Sequence, residues 1–158
     1  MSAEKITITP AMHRQLGVDL FNGTWTLLDK KDRSPAEDEL MIHTAHASAY
    51  HWLQVGEPLN FARSDWQLSR VYAVLNRPEP ALHHAHQSLE LCQAEGIGDF
   101  DLAFAYEALA RASAIDQNPA QAQRYLQLAQ EAAEQIEEED DRQYLLAELA
   151  TVPANSTS

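Results

Sequence analysis

Residues 68–88 read LSRVYAVLNRPEPALHHAHQS, and residues 109–129 read LARASAIDQNPAQAQRYLQLA. Laid forty-one residues apart, the stretches pair Leu68-Ser69 with Leu109-Ala110, Asn76 with Gln117, Ala81 with Ala122, Ala85 with Leu126 and Ser88 with Ala129. Apolar residues recur at helical spacing on both sides of a polar break, Asn76-Arg-Pro78 in one copy and Asp116-Gln-Asn-Pro119 in the other. Each copy therefore reads as two helices and a tight joint, and an internal repeat of this length marks stacked supersecondary units.

Working outward, the same logic covers the chain. A first helix runs from about Pro10 to Leu28, with Leu16, Leu20, Trp25 and Leu28 on one side, and stops in the polar stretch Asp29–Arg33. Ser34-Pro35 opens the second: serine suits the N-cap, proline the first turn, and Glu37, Asp38 and Glu39 the positive end of the helix dipole. Gly56-Glu-Pro58 separates it from a third helix over Leu59–Leu75, and Glu79–Ala94 forms the fourth, closed by Gly96-Ile-Gly98. Asp99 is placed to cap a fifth helix ending near Ile115. Asn118-Pro119 starts a sixth that ends among Glu137–Asp141, before a short last helix with Tyr144, Leu145, Leu146 and Leu149. No stretch alternates like a strand bounded by turns. The expectation is an all-α chain with an extension at 1–9, one helical domain at 10–150, and a disordered tail at 151–158 that is small and polar from Pro153 on. Long helices on short joints pack antiparallel with their neighbours, giving three hairpins and a closing helix.

The residues of the repeat resemble a tetratricopeptide (TPR) unit, in which a large–small pair and an aromatic on one helix, here Leu68, Ser69 and Tyr72, meet small residues on the next, here Ala81, Ala85 and Ser88. The spacing exceeds the family's usual length of about 34 residues, the second copy has Ser113 at the aromatic position, and Asn76 or Gln117 replaces the turn glycine. The stretch AHASAYHW, residues 45–52, also resembles part of a bacterial family of TPR-like proteins with no established function. The resemblance implies antiparallel hairpins stacked as a right-handed α-α superhelix of about seven helices. It also implies that the first helix of each hairpin lines a concave face.

Composition limits the function classes. A chain of 158 residues buries roughly 68–70% of its unfolded surface, core enough without staples. The lone cysteine, Cys92, excludes an intramolecular disulfide. The N-terminus lacks the basic and apolar regions of a secretion signal, and no run approaches the roughly 20 apolar residues that span a bilayer. A cytoplasmic protein with no membrane partner is expected. The formal charge of −13 repels phosphate backbones, so nucleic acid is not an expected partner, and the acidic run Glu131–Asp141 reads as a solvated face.

Catalytic motifs are missing: there is no Gly-rich phosphate loop and no Gly-x-Ser-x-Gly turn, and Cys92 lies beside Leu89 and Leu91 as an inert core thiol would. No cofactor is expected. Carrying the TPR-like register onto the chain puts Arg63, Trp66 and Arg70 on one stripe of the third helix and Phe104, Glu107 and Arg111 on the fifth. Two guanidiniums beside an indole can hold a carboxylate, which suits a peptide, a partner protein segment or a small acidic ligand; alternatively they pair with local carboxylates such as Asp65 or Glu107. His46 and Tyr50 either join this groove or hydrogen-bond internally. His43, His46 and His51 could share a metal, against which stand the absence of His-Glu-x-x-His and the ordinary role of such histidines as hydrogen-bonded polar positions. The expected activity is non-catalytic binding. A metal protein or enzyme built on those histidines, and a self-associating structural protein or homodimer, are the alternatives.

Overall fold

The computed structural model describes residues 2–153, so the expectation for the end of the tail, 154–158, lies outside the described residues. Among the described residues seven helices follow one another: α1 (Pro10–Leu28), α2 (Pro35–Val55), α3 (Pro58–Val74), α4 (Pro78–Glu95), α5 (Asp99–Ile115), α6 (Pro119–Ala133) and α7 (Glu139–Ala150). There is no strand among the described residues, and none of these helices is long and apolar enough to cross a membrane. The pairs α1/α2, α3/α4 and α5/α6 pack as hairpins, each on the next, and α7 closes against α5 and α6.

Five of the seven helices begin with proline, whose missing N–H is no loss in a first turn. At the start of α2, Ser34 Oγ accepts from Glu37 N (3.2 Å) while the Glu37 carboxylate accepts from Ser34 N (3.1 Å), a reciprocal cap. Three helices end alike. Asn76, Gly96 and Gln117 sit in the left-handed region at φ 56°, 65° and 55°, and the next amide reaches back five residues, from Arg77 to Tyr72, Ile97 to Cys92 and Asn118 to Ser113, at 2.9–3.0 Å. The equivalent positions Asn76 and Gln117 thus make the same turn.

Small residues bring the paired helices together. Ala81, Ala85, Ala122 and Ala129 are all buried. Ser69 donates to Ala81 O (2.8 Å) and Ser88 to Ala62 O (3.0 Å), bonds from side chain to backbone that only closely approaching helices can make. In the first hairpin Ser48 donates to Gly17 O (2.7 Å), and Thr24 shares a hydrogen bond with Thr44 (2.9 Å). This corrects the face expected for α1: Gly17 and Thr24 are its buried residues, while Leu16 is exposed.

Two boundaries differ from expectation. The sixth helix stops at Ala133, short of the expected end among Glu137–Asp141, because Ile136 turns inward to join Leu145 and Leu149 in the core. Arg142 locks this joint by donating to Ala133 O (3.2 Å) and Ile136 O (2.7 Å). Asp99 is the first residue of α5 at φ 53°, not its cap, which is Gly98; its carboxylate accepts from Phe100 N (2.6 Å) and Glu137 N (3.3 Å).

Candidate functional site

Four helices, α1, α3, α5 and α7, contribute a continuous row of aromatic rings. Phe21 meets Trp25 (centroids 6.5 Å apart), Trp25 meets Trp66 (5.3 Å), Trp66 meets Phe104 (5.1 Å), and Phe104 meets both Phe100 (4.5 Å) and Tyr144 (5.6 Å). The contacts are edge-to-face or tilted, the geometry that ring quadrupoles favour. Two of the pairs, Phe21/Trp25 and Phe100/Phe104, lie four residues apart on one helix, and so share a face.

Against this row opens a hollow of about 360 Å³, walled by Phe21, Trp66, Phe100 and Phe104, with the charged groups of Arg63, Asp101 and Asp141 beside them. A smaller hollow of about 150 Å³ shares Phe21 and Arg63 with it and adds Val18 and Trp52 together with the polar Asn22, Asn60 and Ser64. The larger is within the size range of sites that hold ligands or side chains.

The arginine stripe expected from the sequence splits. Arg63 and Trp66 line the hollow, where Arg63 grips Asp101 with two parallel bonds, Nε to Oδ1 (2.8 Å) and Nη2 to Oδ2 (3.1 Å). Arg70 turns away into a buried network. It donates to Glu107 Oε1 (3.2 Å) and pairs with Glu148 Oε2 (2.8 Å), while Arg111 pairs with the same Glu107 oxygen and donates to Glu148 O (3.1 Å) and Thr151 Oγ1 (2.7 Å). Burial alone would lower the Arg70 pKa; Glu107 and Glu148 outweigh it and raise it. Two arginines do converge on carboxylates, but the carboxylates belong to this chain, so Arg70, Glu107 and Arg111 are engaged internally and only Arg63, Trp66 and Phe104 of the two stripes reach the hollow. Glu107 is fully buried, and its second oxygen, like the indole nitrogen of Trp66, has no hydrogen-bond partner among the described residues.

His46 and Tyr50 lie elsewhere, because α2 stands behind α1 and α3. His46 Nε2 bonds the Tyr72 hydroxyl (2.7 Å) and packs edge-on to His84, whose Nδ1 bonds Asp65 (2.8 Å). Burial, then His84 and His43, hold the His46 pKa below the usual imidazole value. Tyr50 is exposed and packs on His13 and His51. The three histidines expected as a cluster face three neighbours: His43 is solvent-exposed beside Glu39, His46 bonds Tyr72, and His51 Nδ1 meets His13 Nδ1 at 2.8 Å. Among the described residues no three His, Cys, Asp or Glu side chains gather as metal ligands would. Cys92 is buried, and burial pushes its thiol up to about 11.

Sequence reasoning missed Phe21, Phe100, Asp101 and Asp141. The i, i+4 aromatic pairs were a usable signal for the phenylalanines; Asp141 carried none, since it comes from a helix whose start was misplaced.

What fold and site define is an all-α stack of helical hairpins with an aromatic-walled hollow formed across its odd-numbered helices. No protein-family model matches the chain, and no curated protein or solved structure matches it.

Proposed function

We propose that this chain is a non-catalytic, TPR-like binding module that takes a peptide or partner protein segment along the groove between α1, α3, α5 and α7. The observation that carries the reading is the aromatic row: three helices distant in sequence, α1, α3 and α5, each place rings on one hollow instead of burying them all between hairpins, and α7 adds Asp141 to its wall. Aromatic groups concentrated in a cleft are what binding sites use to anchor a ligand. Two connected hollows favour an extended segment with two anchoring side chains over a compact molecule. A small acidic ligand is disfavoured, because the arginines that would hold it are paired with Asp101, Glu107 and Glu148. A buried, unreactive Cys92 agrees with a cytoplasmic setting.

Panning a library of linear peptides on the full chain tests this, with counter-panning on the Phe21→Ala/Phe100→Ala variant. Sequences enriched by the wild type and lost from the variant support the groove; a pool that binds both equally contradicts it.

Self-association is a second reading with its own observation. Eight of the large exposed apolar residues, Ile6, Ile8, Met12, Leu16, Val18, Leu40, Tyr50 and Leu53, belong to the N-terminal extension and first hairpin, the end of the stack with no neighbour. Light scattering across a concentration series distinguishes a dimer from a monomer.

A further inference from the structure

Charge balance within the hollow indicates what kind of segment it would take. Arg63 is the one cation among the lining residues, and its Nε and Nη2 are held by the two oxygens of Asp101. Asp141, exposed at the first turn of α7, forms no ion pair among the described residues. The Arg63–Asp101 pair is neutral as a unit, which leaves the hollow with one negative charge beside four aromatic walls. Ring faces carry negative potential and attract cations, most strongly where water is partly excluded, so rings and carboxylate act in the same direction. The formal charge of −13 over the whole chain adds long-range attraction of the same sign.

Resting on the reading of the groove as a peptide site, we infer that its occupant is a basic segment whose lysine or arginine side chain enters the larger hollow, its stem against Trp66 and Phe100 and its charged head toward Asp101 and Asp141. The smaller hollow, with Val18, Trp52 and two asparagines, takes a neutral neighbouring side chain and offers amides to the segment's backbone. Arg63 stands where the two hollows meet, and there it keeps Asp101 in place and disfavours a second cation.

The test uses three acetylated, amidated probes, Ser-Leu-Gly-X-Ser with X as lysine, norleucine or glutamate, titrated into the full chain and followed by the indole N–H resonance of Trp66, assigned with Trp66→Phe. Lysine should bind tightest and glutamate weakest. Asp141→Asn, a surface change outside the core, should weaken the lysine probe about two- to fivefold, as expected for a partly screened charge, and leave norleucine unchanged. Raising salt should erode the same difference. Norleucine or glutamate matching lysine at Trp66 would overturn the preference for a cation while leaving the groove in place. If no probe moves Trp66 at millimolar concentration, both the inference and the groove reading fall.

Discussion

At the scale of single residues, the sharpest contrast is between two arginines that look alike in sequence. Arg63 is about half exposed and pairs with Asp101, itself only 15% exposed; Arg70 is 11% exposed and sits between Glu107, at 0%, and Glu148. Breaking a surface pair is worth about 1 kcal/mol at most, whereas stranding a buried partner costs about 3–5 kcal/mol. Arg63→Ala should therefore lower the urea midpoint modestly, since it leaves the half-buried Asp101 unpaired, and Arg70→Glu should lower it sharply, since it sets a third carboxylate beside Glu107 and Glu148. An Arg70→Glu variant as stable as wild type would mean the network is not formed. His46 gives a pH signature. Its depressed pKa means the unfolded chain binds the proton more readily, so its contribution is full above the ordinary imidazole value and is lost as pH falls from there through the lower folded value. The groups facing it are Tyr72, His84, His43 and Asp65. His46→Gln should flatten the fall in stability as pH drops below the ordinary imidazole value; an unaltered slope would exclude His46 as a source of that fall.

At the scale of elements, helix joints and helix–helix distances decide stability. Gln117 adopts the left-handed conformation that glycine adopts freely, a strain of about 1–2 kcal/mol for a side chain with no local bond to offset it, and Asn76 tolerates the same region better. Gln117→Gly should raise the thermal midpoint, by more than Asn76→Gly does. Gly17 behaves oppositely: a Cβ there would lie 2.9–3.1 Å from the Trp52 ring, so Gly17→Ala should lose about 1 kcal/mol net despite alanine's better helix propensity. An increase in stability would show that α1 and α2 are less close than described. These elements were largely legible in sequence. Pro35, Pro78 and Pro119, the cap at Ser34 and the alanines of the repeat act within one turn or one hairpin, where local chemistry settles the outcome. The end of α6 was not, because it depends on Ile136 finding Leu145 and on Arg142 reaching back to two carbonyls, contacts that no local pattern encodes.

At the scale of the whole molecule, the stack brings residues from five helices to one hollow, and here the sequence carried only part of the site. The TPR-like register put Arg63, Trp66 and Phe104 where the hollow is. It left open whether Arg70 and Arg111 face a ligand or pair with Glu107; they pair with Glu107, and their further partner Glu148 was not legible because it comes from the closing helix, whose direction is set by packing instead of by repeat. His46 and Tyr50 fell outside for a related reason: His46 meets Tyr72 of α3 and His84 of α4 away from the hollow, and Tyr50 packs on His13 of its own hairpin. The central claim is therefore about a surface, that the aromatic side of the odd-numbered helices is open to a partner segment. Photo-crosslinking tests it most directly. A benzophenone amino acid replacing Phe100, inside the hollow, is compared with the same group replacing Leu53, exposed on the first hairpin, using the peptide pool enriched on the wild type. Crosslinks from position 100 and not from position 53 are predicted; crosslinks from position 53 alone would contradict the account.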